Sequence, residues 1–258
     1  SITTTYNNIS IVNYVMIKNT IISSDVERGI YSNYNYKLQV LNSAGNPLNN
    51  TTVLHLVNNK PANYTTDSSG YITIPFTKLV KDQIITVVNP SNLEIKKTKI
   101  EVFSRFSRVK NIAMYYFDGT KFTVRIFGDS TWVGKGQVVT VKLNKKTYKL
   151  KTNAKGFITL KIPNTVKPGT YKLIASYKGD TIKKTVKVKQ NLKTSKYTVK
   201  KSAKKLVVKA TLKNGKTALK NKKITLKLNG KTFSAKTNKK GLAKFTIKKN
   251  VIKKLKAG

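Results

Sequence analysis

Acid–base catalysis needs carboxylates or imidazoles held in pairs, and this chain is poor in both. Its carboxylates are Asp25, Glu27, Asp67, Asp82, Glu94, Glu101, Asp118, Asp129 and Asp180. A glycoside hydrolase would set two of them across a cleft, yet no spacing among them recurs along the chain. His55 is the only histidine and lies between Leu54 and Leu56 in an alternating run, so it reads as a structural side chain rather than a base or ligand. With no cysteine and no second histidine, disulfides, thiol catalysis and a zinc site are all excluded. Asp67-Ser68-Ser69-Gly70 resembles part of a calcium loop, but Asn153 and Asn238, followed by lysines, occupy the corresponding later positions, which favours a turn over a cation site. A Lys–Asn isopeptide link would need a nearby carboxylate, and residues 191–258 have none. No catalytic, cofactor-binding or metal residue is therefore expected, and the chain is not read as an enzyme.

Two residue sets remain that could meet a ligand or a modification. Trp132, the sole tryptophan, follows Gly128-Asp-Ser-Thr in a loop, and it is the candidate ligand contact because an exposed indole can stack on a sugar ring; packing beneath the loop is the alternative. Asn8, Asn49, Asn50 and Asn63 each begin an Asn-X-Ser/Thr sequon and are the candidate N-glycosylation sites, all in the first quarter of the chain.

The elements that must position these residues come in repeats. Thr66-Asp67-Ser68-Ser69-Gly70-Tyr71 recurs as Thr152-Asn153-Ala154-Lys155-Gly156-Phe157 and as Thr237-Asn238-Lys239-Lys240-Gly241-Leu242, with the glycines 86 and 85 residues apart. Thr52–Val57, Val138–Leu143 and Lys223–Leu228 precede these turns in the same register and read as strands. Period-two patterns such as Ile158/Leu160/Ile162 against Phe157/Thr159/Lys161, or Leu206/Val208/Ala210/Leu212, put apolar residues on one sheet face. Helical spacing is absent. Asn229-Gly230 predicts a type I′ hairpin turn, and Lys178-Gly179-Asp180, Asn214-Gly215 and Ala44-Gly45-Asn46-Pro47 end other strands. Seven or so short strands per repeat predict an all-β fold: tandem immunoglobulin-like β-sandwich repeats of about 86 residues, end to end.

The repeats are out of phase with the chain. The expected division is 1–16 as the last two strands of a preceding unit or as donor strands, 17–104 and 105–190 as the first two repeats, and 191–258 as a third repeat lacking its last two strands. The candidate donor residues are Ile2, Thr4, Tyr6, Ile9, Ile11 and Val15. Two readings stand: a window cut from a longer array, or leading strands that complete the last sandwich of another subunit. Either leaves the third repeat with an unpaired edge.

Charge climbs along the chain, from +3 over residues 1–104 to +17 over 105–190 and +23 over 191–258, within a total of +43. Most lysines alternate with apolar residues and are solvated outer-face side chains, but together they create a field that would hold anionic cell-wall or surface glycans. Specific nucleic-acid binding is not expected, because Lys greatly outnumbers Arg and neither a groove-reading helix nor an aromatic stacking platform is present. No run is long and apolar enough for a membrane span in this segment.

Leu41-Asn-Ser-Ala-Gly-Asn-Pro-Leu-Asn-Asn-Thr-Thr-Val53 and Val208–Leu228, followed by Thr237-Asn-Lys-Lys-Gly241, resemble the immunoglobulin-like repeats of adhesin-like proteins of methanogenic archaea. The first repeat departs from that pattern by being Asn-rich and less basic. The resemblance implies an extracellular, surface-displayed protein, commonly with an upstream β-helix region and a downstream wall-associated region. The expected function is thus a cell-surface structural protein forming a stalk or filament for adhesion to surfaces or neighbouring cells, self-associating end to end by donor strands, with a carbohydrate- or wall-polymer-binding array as the alternative.

Overall fold

The computed structural model describes residues 2–13 and 18–256, so candidate donor residue Val15 lies outside the described residues. An isolated hairpin comes first, β1 (Ile2–Tyr6) with β2 (Ile9–Asn13), which pair only with each other. The first sandwich follows as β3 (Ile21–Ile22), β4 (Val26–Gly29), β5 (Tyr34–Val40), β6 (Thr52–Val57), β7 (Lys60–Thr65), β8 (Tyr71–Phe76), β9 (Gln83–Val88) and β10 (Ile95–Phe103). By position these are strands A, A′, B, C, C′, E, F and G of an immunoglobulin-like fold: one sheet runs β3-β5-β8, the other β4-β10-β9-β6-β7. The A segment changes sheets midway, leaving β5 and pairing parallel with β10.

The second sandwich repeats the plan with β11 (Ile112–Tyr115), β12 (Lys121–Arg125), β13 (Val138–Leu143), β14 (Lys146–Lys151), β15 (Phe157–Lys161), β16 (Gly169–Tyr177) and β17 (Asp180–Lys189). Its sheets are β12-β15 and β11-β17-β16-β13-β14, and a Phe106–Ile126 bridge stands at the A position. The third contains β18 (Leu192–Thr194), β19 (Lys205–Asn214), β20 (Thr217–Ala218), β21 (Lys223–Leu228), β22 (Lys231–Lys236), β23 (Leu242–Lys248) and α1 (Lys249–Ile252). These fill A, B, C, C′ and E; among the described residues no strand stands at A′, F or G. The chain is an all-β tandem of immunoglobulin-like sandwiches.

Each sandwich has its own apolar core, and alternation explains it. On β15, Ile158 and Leu160 point inward while Thr159 and Lys161 face water. Among the described residues the one helix is α1, a single turn between E and the F position that buries Val251 and Ile252. Four residues carry no detectable period, which is why helical spacing is invisible in the sequence.

The recurring Thr-X-X-X-Gly turn locks each unit in the same way. Thr66, Thr152 and Thr237 are buried, and their hydroxyls donate to the carbonyls of Leu48, Gly134 and Leu219 at 2.5, 2.6 and 2.6 Å. The same oxygens accept from the backbone N–H of Thr51, Gln137 and Lys222 at 3.0, 2.9 and 2.9 Å. One residue on, the side-chain oxygens of Asp67, Asn153 and Asn238 accept from the amides two and four residues ahead. This is an Asx turn, made by a single side-chain oxygen in each copy. The glycine has positive φ in all three copies, and a Cβ on Gly156 would lie 2.5 Å from the Val133 carbonyl oxygen.

Replacing Thr152 by Val strands the Gly134 carbonyl and the Gln137 amide without their partner. Chemical denaturation should show a loss of about 1–3 kcal/mol for the second unit, largely recovered with Ser at 152. Unchanged stability in the Val protein would contradict this role.

Candidate functional site

Among the described residues, the third sandwich is the least covered of the three. In the second unit the C strand β13 is flanked by C′ on one edge and F on the other, through Thr140↔Ser176, Val141↔Ala175, Lys142↔Ile174 and Leu143↔Leu173. Its inward residues Val139, Val141 and Leu143 are 0, 0 and 1% exposed. The corresponding β21 pairs only with β22, so Ile224, Leu226 and Leu228 remain half-exposed. A bare strand edge and an incompletely covered core thus coincide.

At the other end, the β1–β2 hairpin has the opposite deficiency. Ile2, Tyr6, Ile9 and Ile11 are 57, 78, 69 and 61% exposed. Thr4 is exposed beside them. A two-stranded hairpin is marginal alone, and this one shows water an apolar face with no core of its own. Five of the six candidate donor residues, Ile2, Thr4, Tyr6, Ile9 and Ile11, therefore lie on one unpartnered hairpin.

Between units, one repeat position forms the clasp. Arg105 is 1% exposed and follows β10. It donates from Nε to Ile30 O at 2.7 Å, from Nη1 to Gly128 O at 2.8 Å and from Nη2 to Asp129 Oδ1 at 2.9 Å, tying the first unit to the second. Lys178 Nζ reaches the other Asp129 oxygen at 3.0 Å, while Asp180 accepts from the Ser104 hydroxyl and the Arg105 amide. Burial pushes the Asp129 carboxyl up, but its bonds to Lys178 and Arg105 outweigh that and hold it below its ordinary 3.8. Tyr31, in left-handed backbone, lays its ring against Gly179 in the F–G turn of the second unit.

The next seam reuses this geometry with a shorter side chain. Asn191 stands at the position of Arg105, and its amide donates to Tyr116 O at 2.6 Å and to Asn214 Oδ1 at 3.2 Å, the counterparts of the Ile30 and Gly128 contacts. Tyr115 lies against Gly215. Phe117, at the position of Tyr31 and again left-handed, is 59% exposed and borders a cleft of about 610 Å³ with Tyr116, Asn191, Asn214 and Lys222. Tyr31 and Tyr115 thus plug seams, whereas Tyr36 is a core residue.

The remaining sequence candidates stay apart from both ends. Trp132 meets Phe127 edge-on at 5.3 Å, and Arg125 lies 4.5 Å over its ring, so one indole face is already covered. His55 takes the inward C-strand position that Val141 holds in the second unit; burial lowers its pKa, partly offset by a bond to Ala62, and its Nδ1 has no partner. Asn8 sits in the β1–β2 turn, Asn49 and Asn50 precede β6, and Asn63 lies on β7, all exposed. No group of three His, Cys, Asp or Glu able to hold a metal occurs among the described residues. No described helix is long and apolar enough to cross a membrane. Sequence reasoning missed Arg105, one cation among 52 Lys and Arg; its repeat position beside the buried Asn191 was the available signal.

No family model matches the chain, and no curated protein does. Among solved structures, the I9–I11 tandem of titin aligns over 88% of this chain and 88% of its own, at 11% identity and a TM-score of 0.42. A Ca2+-stabilized adhesin with which an Antarctic bacterium binds ice covers 92% of this chain and 67% of its own, at 13% identity and a TM-score of 0.31. With every such score below 0.5, these matches carry no functional weight, and the fold rests on the strand pairing above.

Replacing Arg105 by Ala strands two carbonyls and Asp129, and should destabilise the first seam by about 2–4 kcal/mol, read as loss of interdomain residual dipolar coupling alignment between the first two units. The acid response has a defined sign. Because the Asp129 pKa is depressed, its contribution is full above pH 3.8 and is lost as pH falls through the lower folded value, so the seam should loosen only in stronger acid. A seam that loosens between pH 5 and 7 would contradict this.

Proposed function

We propose that the chain is a stalk segment of an extracellular, cell-surface, adhesin-like fibre. The observation that carries this is the repeated clasp, in which Arg105 and Asn191 reach the equivalent carbonyls of Ile30 and Tyr116 and a group at the equivalent positions 128 and 214 at successive seams, and so set the units in series. Serial sandwiches joined by side-chain clasps hold their ends apart and transmit tension through β-sheet hydrogen bonds. The half-covered third unit and the unpartnered hairpin support joining of subunits by strand donation. The carboxylate-free, lysine-rich third unit supports retention on anionic wall or surface glycans.

Small-angle scattering of the chain tests the stalk directly: an extended rod of serial units is expected, and a compact particle with the units folded back would overturn it. Glycan retention should be electrostatic. Binding to an immobilised polyanionic polysaccharide should fall steeply between about 50 and 500 mM salt, with no retention on a neutral glucan. Salt-independent binding to the neutral polymer would instead favour a carbohydrate-binding array.

A further inference from the structure

We infer that Asn63 carries an N-linked glycan whose first sugars lie across the outer face of the first unit's five-stranded sheet, on Leu54, Val88 and Ile95. This rests on the extracellular reading, since N-glycans are added to secreted chains. One sequon of four is thereby singled out, and its sugar is given a seat.

The seat is a row of side chains across four strands. β7, β6, β9 and β10 are neighbours in that order, and their registers set Asn63 beside Leu54, Leu54 beside Val88 and Val88 beside Ile95. Directly paired residues project from the same face of a sheet. Here it is the outer face, because the alternate residues Val53, His55 and Val87 are buried in the core. Leu54 and Ile95 are 42 and 63% exposed, and Val88 is half-buried between them. Leu56 and Ile84 widen the apolar patch on the same face.

A solvated sheet face ordinarily carries polar residues, and the second unit obeys that rule. Its equivalent row reads Lys149, Thr140, Ser176 and Thr181. In the third unit the two strands that begin the row supply Ser234 and Thr225. Among the described residues, then, the row is aliphatic only where it begins with a sequon asparagine.

A pyranose has the two-sided form this row can use. Its ring C–H groups pack on aliphatic side chains while its hydroxyls stay in water. Attachment at one end of the row makes the contact intramolecular, so packing too weak to hold a free sugar is enough. Three inter-strand steps of about 4.8 Å put Ile95 about 14 Å from Asn63, a span for the first two or three sugars. Tyr64, the middle residue of the sequon, turns inward and meets His55 edge-on at 4.7 Å, so Asn63 and Thr65 face outward together. The other sequons have no such seat. Asn8 lies in the β1–β2 turn, outside the three sandwiches. Asn49 and Asn50 lie in the turn before β6, where the Thr51 hydroxyl already donates to the Asn49 carbonyl at 2.8 Å.

Protein recovered from its own cells should yield an Asn63 glycopeptide by mass spectrometry. The seat is tested on the full chain secreted by insect cells, beside Asn63→Gln, which abolishes the sequon and keeps the amide. Loss of the glycan should lower the melting temperature of the first unit by about 4 °C and raise binding of an apolar dye several-fold. Installing the second unit's residues, Leu54→Thr with Val88→Ser and Ile95→Thr, should abolish both differences while the glycan stays attached. No difference between the secreted chain and Asn63→Gln, or an equal shift in the triple variant, would overturn the seat. Native protein bare at Asn63, whatever the other sequons carry, would overturn the inference, and so would pairing of two copies through Leu54 and Ile95. Rod-like scattering of that same sample would leave the stalk standing.

Discussion

The interaction on which this structure depends is the pairing of each C strand on both of its edges. A two-layer β-sandwich excludes water only when F lies beside C, because F supplies the middle of the second sheet and half of the facing core. β6 and β13 have that neighbour, and the residues they turn inward are largely buried. β21 lacks it, and every unusual feature of the third unit follows: half-exposed Ile224, Leu226 and Leu228, a free hydrogen-bonding edge, and a cleft beside Phe117.

Seams convert separate sandwiches into one stalk, and they are unequal. Arg105 reaches three oxygens with a planar, permanently charged fork, and Asp129 gathers Lys178 into the same cluster. Asn191 makes two neutral contacts at the equivalent place. The first joint is therefore the stiffer, and the second is where a further contact, through Phe117, has most to add.

Local chemistry was the legible part. The Thr-X-X-X-Gly turns, the strands at 52–57, 138–143 and 223–228, and the Asn229-Gly230 turn depend on neighbours a few residues away, and each occupies the place its sequence implies. Asp67 is an equally local case, its Oδ1 accepting from the amides of Ser69 and Tyr71 within its own turn. What sequence could not show was the partner of a lone side chain. Arg105 looks like any surface cation until Ile30 and Gly128, 75 and 23 residues away, come beside it. Tyr36 is a further case, its hydroxyl donating within the first core to Thr98 Oγ1, 62 residues away. For Trp132 the sequence leaves exposure and packing both open, and Arg125 and Phe127 are the neighbours that cover one of its faces.

Pulsed dipolar spectroscopy between spin labels on the first and third units tests the central claim most directly, because it reports whether the seams hold the units in series. A single long distance is expected, and replacing Arg105 by Ala should broaden it. A short distance from units folded back on one another, or a distribution that the Arg105→Ala change leaves untouched, would contradict the account.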